Sequence, residues 1–157
     1  EKKRMKLAEA LILRKDIQQR LSMLDSRLSA AARVQEGDQP VENPHQLMAE
    51  LDTLTNQLAT LIADINHTNS ATRDGEDTLT DLLAQRDTLQ YKIRVLRGFA
   101  GEAGQLVSRQ LRSEIRIMST VDVAALRRQV DGLCKELREL DMRLQGLNWQ
   151  VELITRT

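Results

Sequence analysis

The feature that most constrains this chain is an apolar series near its C-terminal end. Leu126, Val130, Leu133, Leu137, Leu140, Leu144, Leu147, Val151 and Ile154 alternate by four and three without a lapse. That is the seam of a coiled-coil helix. At ~1.5 Å per residue the stretch spans ~43 Å as a helix. A helix that long needs equally long neighbours or another subunit to cover its seam. The composition agrees: 41% of residues are hydrophobic, yet Tyr91, Phe99 and Trp149 are the only aromatics and only two prolines occur. The apolar weight therefore lies in Leu, Ile, Val and Ala, which suits packed helices.

Three further helices follow from the same spacing. Residues 6–33 carry Leu7, Ala10, Ile17, Leu21, Leu24, Leu28 and Ala31, with Arg14 in one core slot. Turn chemistry occupies residues 34–44, and Asn43 is placed to cap a helix whose first residue is Pro44. That second helix carries Leu47, Leu51, Leu54, Leu58, Leu61 and Ile65 and is expected to end in the polar string Asn66-His67-Thr68-Asn69-Ser70. Arg73-Asp74-Gly75-Glu76 reads as a turn. The third helix, residues 78–97, shows Leu79, Leu82, Leu89, Ile93 and Leu96, with Arg86 in a core slot, and a break is expected at Gly98, Gly101 and Gly104. Residues 111–121 alternate Leu111, Ile115, Ile117 and Val121 with charges, which suits a short extended segment. Ser119 or Thr120 is expected to cap the fourth helix in a capping-box-like Ser119-x-x-Asp122. The expected architecture is all-α, an antiparallel bundle of about four long helices with a short extended segment near 111–121, forming one domain over residues 5–157.

Charge and cysteine usage narrow the function classes. Lys+Arg 23 balance Asp+Glu 23, so no whole-chain attraction to nucleic acid or an acidic membrane is expected. Residues 36–85 nevertheless carry ten acids against Arg73 alone, whereas residues 86–128 carry nine bases against four acids. Complementary packing of these segments, within or between subunits, is the simplest account. An anion or nucleic-acid module using Arg94, Arg97, Arg109, Arg112 and Arg116 is the alternative, weakened by the scarcity of aromatics for base stacking. Cys134 alone excludes a disulfide framework and is expected to be an inert thiol beside the seam. No apolar run approaches the ~20 residues of a membrane span, and no basic-then-apolar signal pattern opens the chain, so a cytoplasmic location is expected.

Chemistry-bearing patterns are sparse. One Cys and two distant histidines lack zinc-ligand spacing, and no phosphate loop or dinucleotide fingerprint occurs, so neither metal nor cofactor is expected. Asn66-His67-Thr68 matches the glycosylation sequon, which carries weight only in a secreted chain. His45 reads as a surface residue in a helix's first turn, and His67 as a cap for free carbonyls at a helix end. A polar site would have to gather Asn66, His67, Asn69 and Arg73 with Arg86, Glu114 and Asp122. The structural reading of Arg14 and Arg86 is ion pairing, with Asp81, Asp87, Glu114 or Asp122 as partners.

Two surpluses of apolar surface favour a homo-oligomer. Met142, Gly146, Trp149 and Leu153 form a second stripe on the fourth helix, and Ala10-Leu11-Ile12-Leu13 covers every face of a turn in the first. A central helix wrapped by the other three is one account of the second stripe; the other is a subunit interface anchored on Trp149, with Leu11, Ile12, Met142, Gly146 and Leu153 around it. A structural or interaction protein, rather than an enzyme, is the function expected.

Several strings also resemble a known family: Met5-Lys-Leu-Ala-Glu-Ala-Leu, Ala32-Arg-Val-Gln-Glu-Gly, Asn66-x-Thr-Asn, Arg109-x-x-x-Ser-Glu-Ile, Ser119-Thr-Val-Asp-Val, and Leu140-Asp through Asn148-Trp149. They resemble small, uncharacterised bacterial proteins often labelled septicolysin. The resemblance covers the chain from Met5 to about Ile154, which leaves residues 1–4 upstream of it. It implies a helical bundle in a multimeric assembly, with a hexamer as the expected form, and no catalytic residues. The label itself suggests a thiol-activated pore-former. Such proteins resemble large β-rich chains with a Trp-rich membrane segment, and the single Trp149 departs from that, so a pore-forming role is not expected.

Overall fold

The computed structural model describes residues 3–105 and 115–156. It is all-α, with four helices: α1 (Leu7–Ala30), α2 (Pro44–Ala71), α3 (Leu79–Gly104) and α4 (Val123–Gln150). A two-residue hairpin, β1 (Arg73–Asp74) and β2 (Asp77–Thr78), joins α2 to α3. Gly75 turns it at φ 67°, and among the described residues only glycines have positive φ. Positive φ at the first central position alone is the type II′ pattern, which suits the twist of a tight hairpin. The expected turn at residues 73–76 is therefore this hairpin.

The chain divides into two compact units, residues 1–78 with 146–157, and residues 79–145. The first unit is built on α1 and α2. They run antiparallel, since Arg27, late in α1, lies 3.6 Å from Glu50, early in α2. Leu7, Ala10, Ile17 and Leu24 from α1 meet Leu47, Leu54, Leu61 and Ile65 from α2 in its core. These are the positions the four-three spacing selects. Asn43 caps α2 as expected, its side chain accepting from the His45 N–H at 2.9 Å with Pro44 at the first position.

The ends of the chain close this unit. Lys6 and Glu152 form an antiparallel bridge, with Leu7 N–H donating to the Val151 carbonyl at 2.9 Å and Leu153 N–H to the Met5 carbonyl at 2.8 Å. Lys6 at the start of α1 offers no side-chain cap, so the Val151 carbonyl takes one of the helix's orphan N–H groups instead. This overturns the reading of one uninterrupted helix to Ile154: α4 stops at Gln150. The apolar series runs on to Ile154, which is 39% exposed, whereas Leu153, next to the bridged Glu152 in extended chain, is turned inward and buried.

The second unit pairs α3 and α4 antiparallel, with Arg97 reaching Cys134 and Gly104 beside Val123 and Arg127. Leu79, Leu82, Ile93 and Ala100 are buried on α3, and only Val130 and Leu144 on this unit's part of α4. Leu126, Leu133, Leu137 and Leu140 stay half-buried.

Other boundaries differ from the sequence reading. α2 runs through the polar string to Ala71, because Thr68 inside that string is fully buried. α3 continues past Gly98 and Gly101 to Gly104. A helix-interior glycine costs ~1 kcal/mol, an amount that burying Ala100 between those glycines helps to offset. α4 is capped by Asp122, whose Oδ1 accepts from the Ala125 N–H at 3.0 Å. Ser119 instead closes a local turn with Val121. Asp caps as well as Ser, and the one nearer the first helical turn takes the role. Of the extended segment expected near 111–121, residues 111–114 lie outside the described residues and 115–119 have no regular secondary structure.

Candidate functional site

The polar residues singled out in the sequence have local roles in each unit. In the first, Asn66 is exposed and His67 and Asn69 are half-buried, all inside α2 rather than at its end. His67 is therefore not a terminal cap; its own carbonyl accepts from the Ser70 hydroxyl at 3.0 Å. Arg73 donates to the Glu76 carbonyl at 3.1 Å across the hairpin turn. In the second unit Arg86 pairs with Asp87 at 3.2 Å, and Asp122 caps α4. Glu114, Arg109 and Arg112 lie outside the described residues. Arg14, expected in a core slot, is half-buried on α1, a placement that lets a long side chain carry its charged head to water.

The polar arrangement that sequence reasoning missed is built on Asp64 and Thr68, one helical turn apart and both buried. Thr68 Oγ1 donates to the Asp64 carbonyl at 2.7 Å and accepts from the Ile154 N–H at 2.9 Å. The Asp64 carboxylate accepts from the Arg156 N–H at 3.3 Å. Two α2 side chains thus satisfy alternate backbone donors of the C-terminal segment, which point the same way in extended chain. The available signal was a polar pair, Asp64-x-x-x-Thr68, interleaved with the core residues Leu61 and Ile65.

Beside this pair lies a groove of about 610 Å³, floored by Met5, Leu13, Ile17, Leu61 and Leu153 and edged by Arg20. A second groove, of about 600 Å³, runs along α3 and α4, where Leu89 and Leu140 are flanked by Lys92, Arg143, Glu136 and Glu139. Both are wide open. Among the described residues no cluster of His, Cys, Asp and Glu could hold a metal ion, and no helix is long and apolar enough to cross a membrane.

Arg27 grips Glu42 through Nε at 3.0 Å and Nη2 at 2.6 Å, with Glu50 near by at 3.6 Å. The hydrogen bond from Arg27, with its charge adding to it, holds the Glu42 carboxyl below the usual carboxylate range, against an opposing desolvation effect. The same contact raises Arg27. Of the basic residues proposed for anions, Arg94 stacks on Tyr91 at 4.9 Å, Arg97 donates to the Cys134 sulfur at 3.2 Å, and Arg116 is exposed. Cys134, expected as an inert thiol beside the seam, is thus half-buried and hydrogen-bonded.

The interface residues divide. Met142 and Trp149 are 74% and 54% exposed, Ile12 is 61% exposed, Gly146 is exposed and Leu11 half-buried. Leu153 is the correction: it faces the interior of the first unit. The spacing also concealed a second stripe. Tyr91, Val95 and Phe99, four residues apart on α3, are 61%, 50% and 44% exposed. That i, i+4, i+8 pattern was legible, but the heptad of Leu89, Ile93 and Leu96 dominates the same segment.

The fold and these surfaces define a small all-α protein of antiparallel helix pairs with aromatic side chains on its outside. The chain belongs to a family of unknown function, DUF6847, whose sequence model matches residues 14–153. Its structure is also similar to the crystal structure of a functionally unknown conserved protein from Corynebacterium diphtheriae, with 42% identity and a TM-score of 0.90. That match covers 97% of this chain and 100% of the other. No curated protein matches. A family without an assigned function is therefore supported, and the septicolysin label finds no support in these matches.

Proposed function

We infer that this is a structural protein whose work is self-association through its helix faces into a homo-oligomer. One observation carries the reading: all three aromatic residues of the chain, Tyr91, Phe99 and Trp149, are exposed, while the buried apolar residues are aliphatic. Large aromatics contribute most when desolvated, and they are enriched at the cores of protein interfaces. Met142 and Ile12 are exposed apolar side chains as well. Leu, Ile and Val could have served on a surface that meets only water no better than polar residues, so the placement fits faces that another copy covers.

Size-exclusion chromatography with light scattering tests this, recording absorbance at 260 and 280 nm for the wild type and Trp149→Ala. A wild-type multimer without excess 260 nm absorbance, losing mass in Trp149→Ala, is the expected result. A monomeric wild type at micromolar concentration overturns the reading. An excess at 260 nm moves the basic 86–128 segment to first place as a nucleic-acid module.

A further inference from the structure

α3 is amphipathic twice over. Its buried Leu79, Leu82, Ile93 and Ala100 share one face with half-buried Leu89 and Leu96. At about 100° per residue, the exposed Tyr91, Val95 and Phe99 form a second stripe centred roughly 150° away. Gly98 lies on the same side with open space where a Cβ would be, so a second helix can approach closely.

Charge edges this stripe in a way that selects its occupant. Asp87 and Arg94 stand one heptad apart, so they lie along one edge with opposite signs. The Asp87 side chain is 66% exposed although Arg86 holds it at 3.2 Å. Arg94 lies over the Tyr91 ring, its guanidinium carbon 4.9 Å from the ring centroid. Lys92 lies towards the other edge, in the groove with Glu136 and Glu139. An antiparallel copy related by a two-fold axis beside residues 90 and 91 brings each Arg94 opposite the partner's Asp87. The two-fold makes this ion pair twice, as an isologous interface requires. Val95 then falls between the partner's Ala84 and the partner's Thr88, which are small enough to form a hole for it. A parallel pair in register would instead put the two Arg94 side chains on opposite sides of the seam, each away from the partner's Asp87.

We propose that α3 pairs antiparallel with α3 of a second copy of this chain, through the Tyr91–Val95–Phe99 stripe and reciprocal Arg94–Asp87 ion pairs. This contact rests on the assembly reading and names the faces that carry it. Its test is charge reversal followed by mass measurement. Arg94→Asp and Asp87→Arg should each weaken association at least tenfold by concentration-dependent light scattering, and the double variant, which exchanges the signs, should restore it. Val95→Glu should abolish the contact. Tyr91→Cys in a Cys134→Ser background should oxidise to a disulfide-linked dimer, which detects the contact without weakening it. All the targeted α3 positions are exposed, so circular dichroism should show unchanged helicity.

The outcomes separate cleanly. A monomeric wild type defeats the assembly reading and this contact together. An oligomer indifferent to Val95→Glu and to both reversals leaves self-association standing and overturns this contact alone. Single reversals that dissociate the protein without rescue in the double variant overturn the antiparallel pairing.

Discussion

The two units use the same four-three spacing and bury it to different depths. Among the described residues the first unit holds eleven of the buried apolar side chains, from Leu7 to Leu153, and the second holds six. In the first, α1 and α2 gain the bridged ends of the chain as a further covering element, and Asp64 and Thr68 tie it down. In the second, α3 and α4 form a pair whose seam leucines are half-covered on α4. A heptad thus states which face is apolar, not how many neighbours cover it. The unit with less covering also carries Tyr91, Val95, Phe99 and Met142 outside, which is where another copy has most to bury.

The comparison can be broken by truncation in the deeper core. Leu24 is completely buried in the first unit, and Leu24→Ala should cost ~2–5 kcal/mol in urea unfolding. Leu137→Ala, in the half-covered seam, should cost clearly less. Equal losses would show that the two units are covered alike.

A smaller change sharpens the role of the closing segment. Thr68→Val keeps the shape of the side chain but leaves the Ile154 N–H without its acceptor, which should cost ~1–3 kcal/mol. Amide exchange at Ile154 should quicken with it. Thr88→Val, where the hydroxyl bonds only its own helix on an exposed face, should be nearly neutral. No difference between the two would mean that the C-terminal segment is held without α2.

The smallest effect expected is on acidification. Glu42 is held below its ordinary range when folded, so its contribution is present above the unfolded value and is lost as pH falls through the folded one. The two side chains are 40% and 39% exposed, so solvent screens the pair. Protection from amide exchange over residues 32–43, relative to the intrinsic rate at each pH, should fall in acid, and Glu42→Gln should remove that step. A step that persists in Glu42→Gln would assign it to another carboxylate.

Much of this was legible beforehand. The helices, the Asn43–Pro44 start of α2 and the turn at Gly75 follow from local chemistry: apolar spacing, capping oxygens and a residue that tolerates positive φ. The exposed surplus at Ile12, Met142 and Trp149 was legible for the same reason, since a helix with two apolar stripes cannot bury both against one neighbour. The Asp64–Thr68 pair was not legible, because its partners are backbone donors some ninety residues away, and no side-chain pattern announces them.

By itself, then, the sequence determined the all-α class, the helix faces and their polarity, because each depends on neighbours within one or two turns. Tertiary structure alone decided where α4 ends, that α3 runs through its glycines, and that Leu153 turns inward while Trp149 stays out. Those outcomes depend on what lies across from each residue. Backbone groups from opposite ends of the chain, the Met5 carbonyl and the Leu153 N–H, settle the end of α4 and the inward turn of Leu153 by pairing, and the burial of Ala100 helps carry α3 through its glycines.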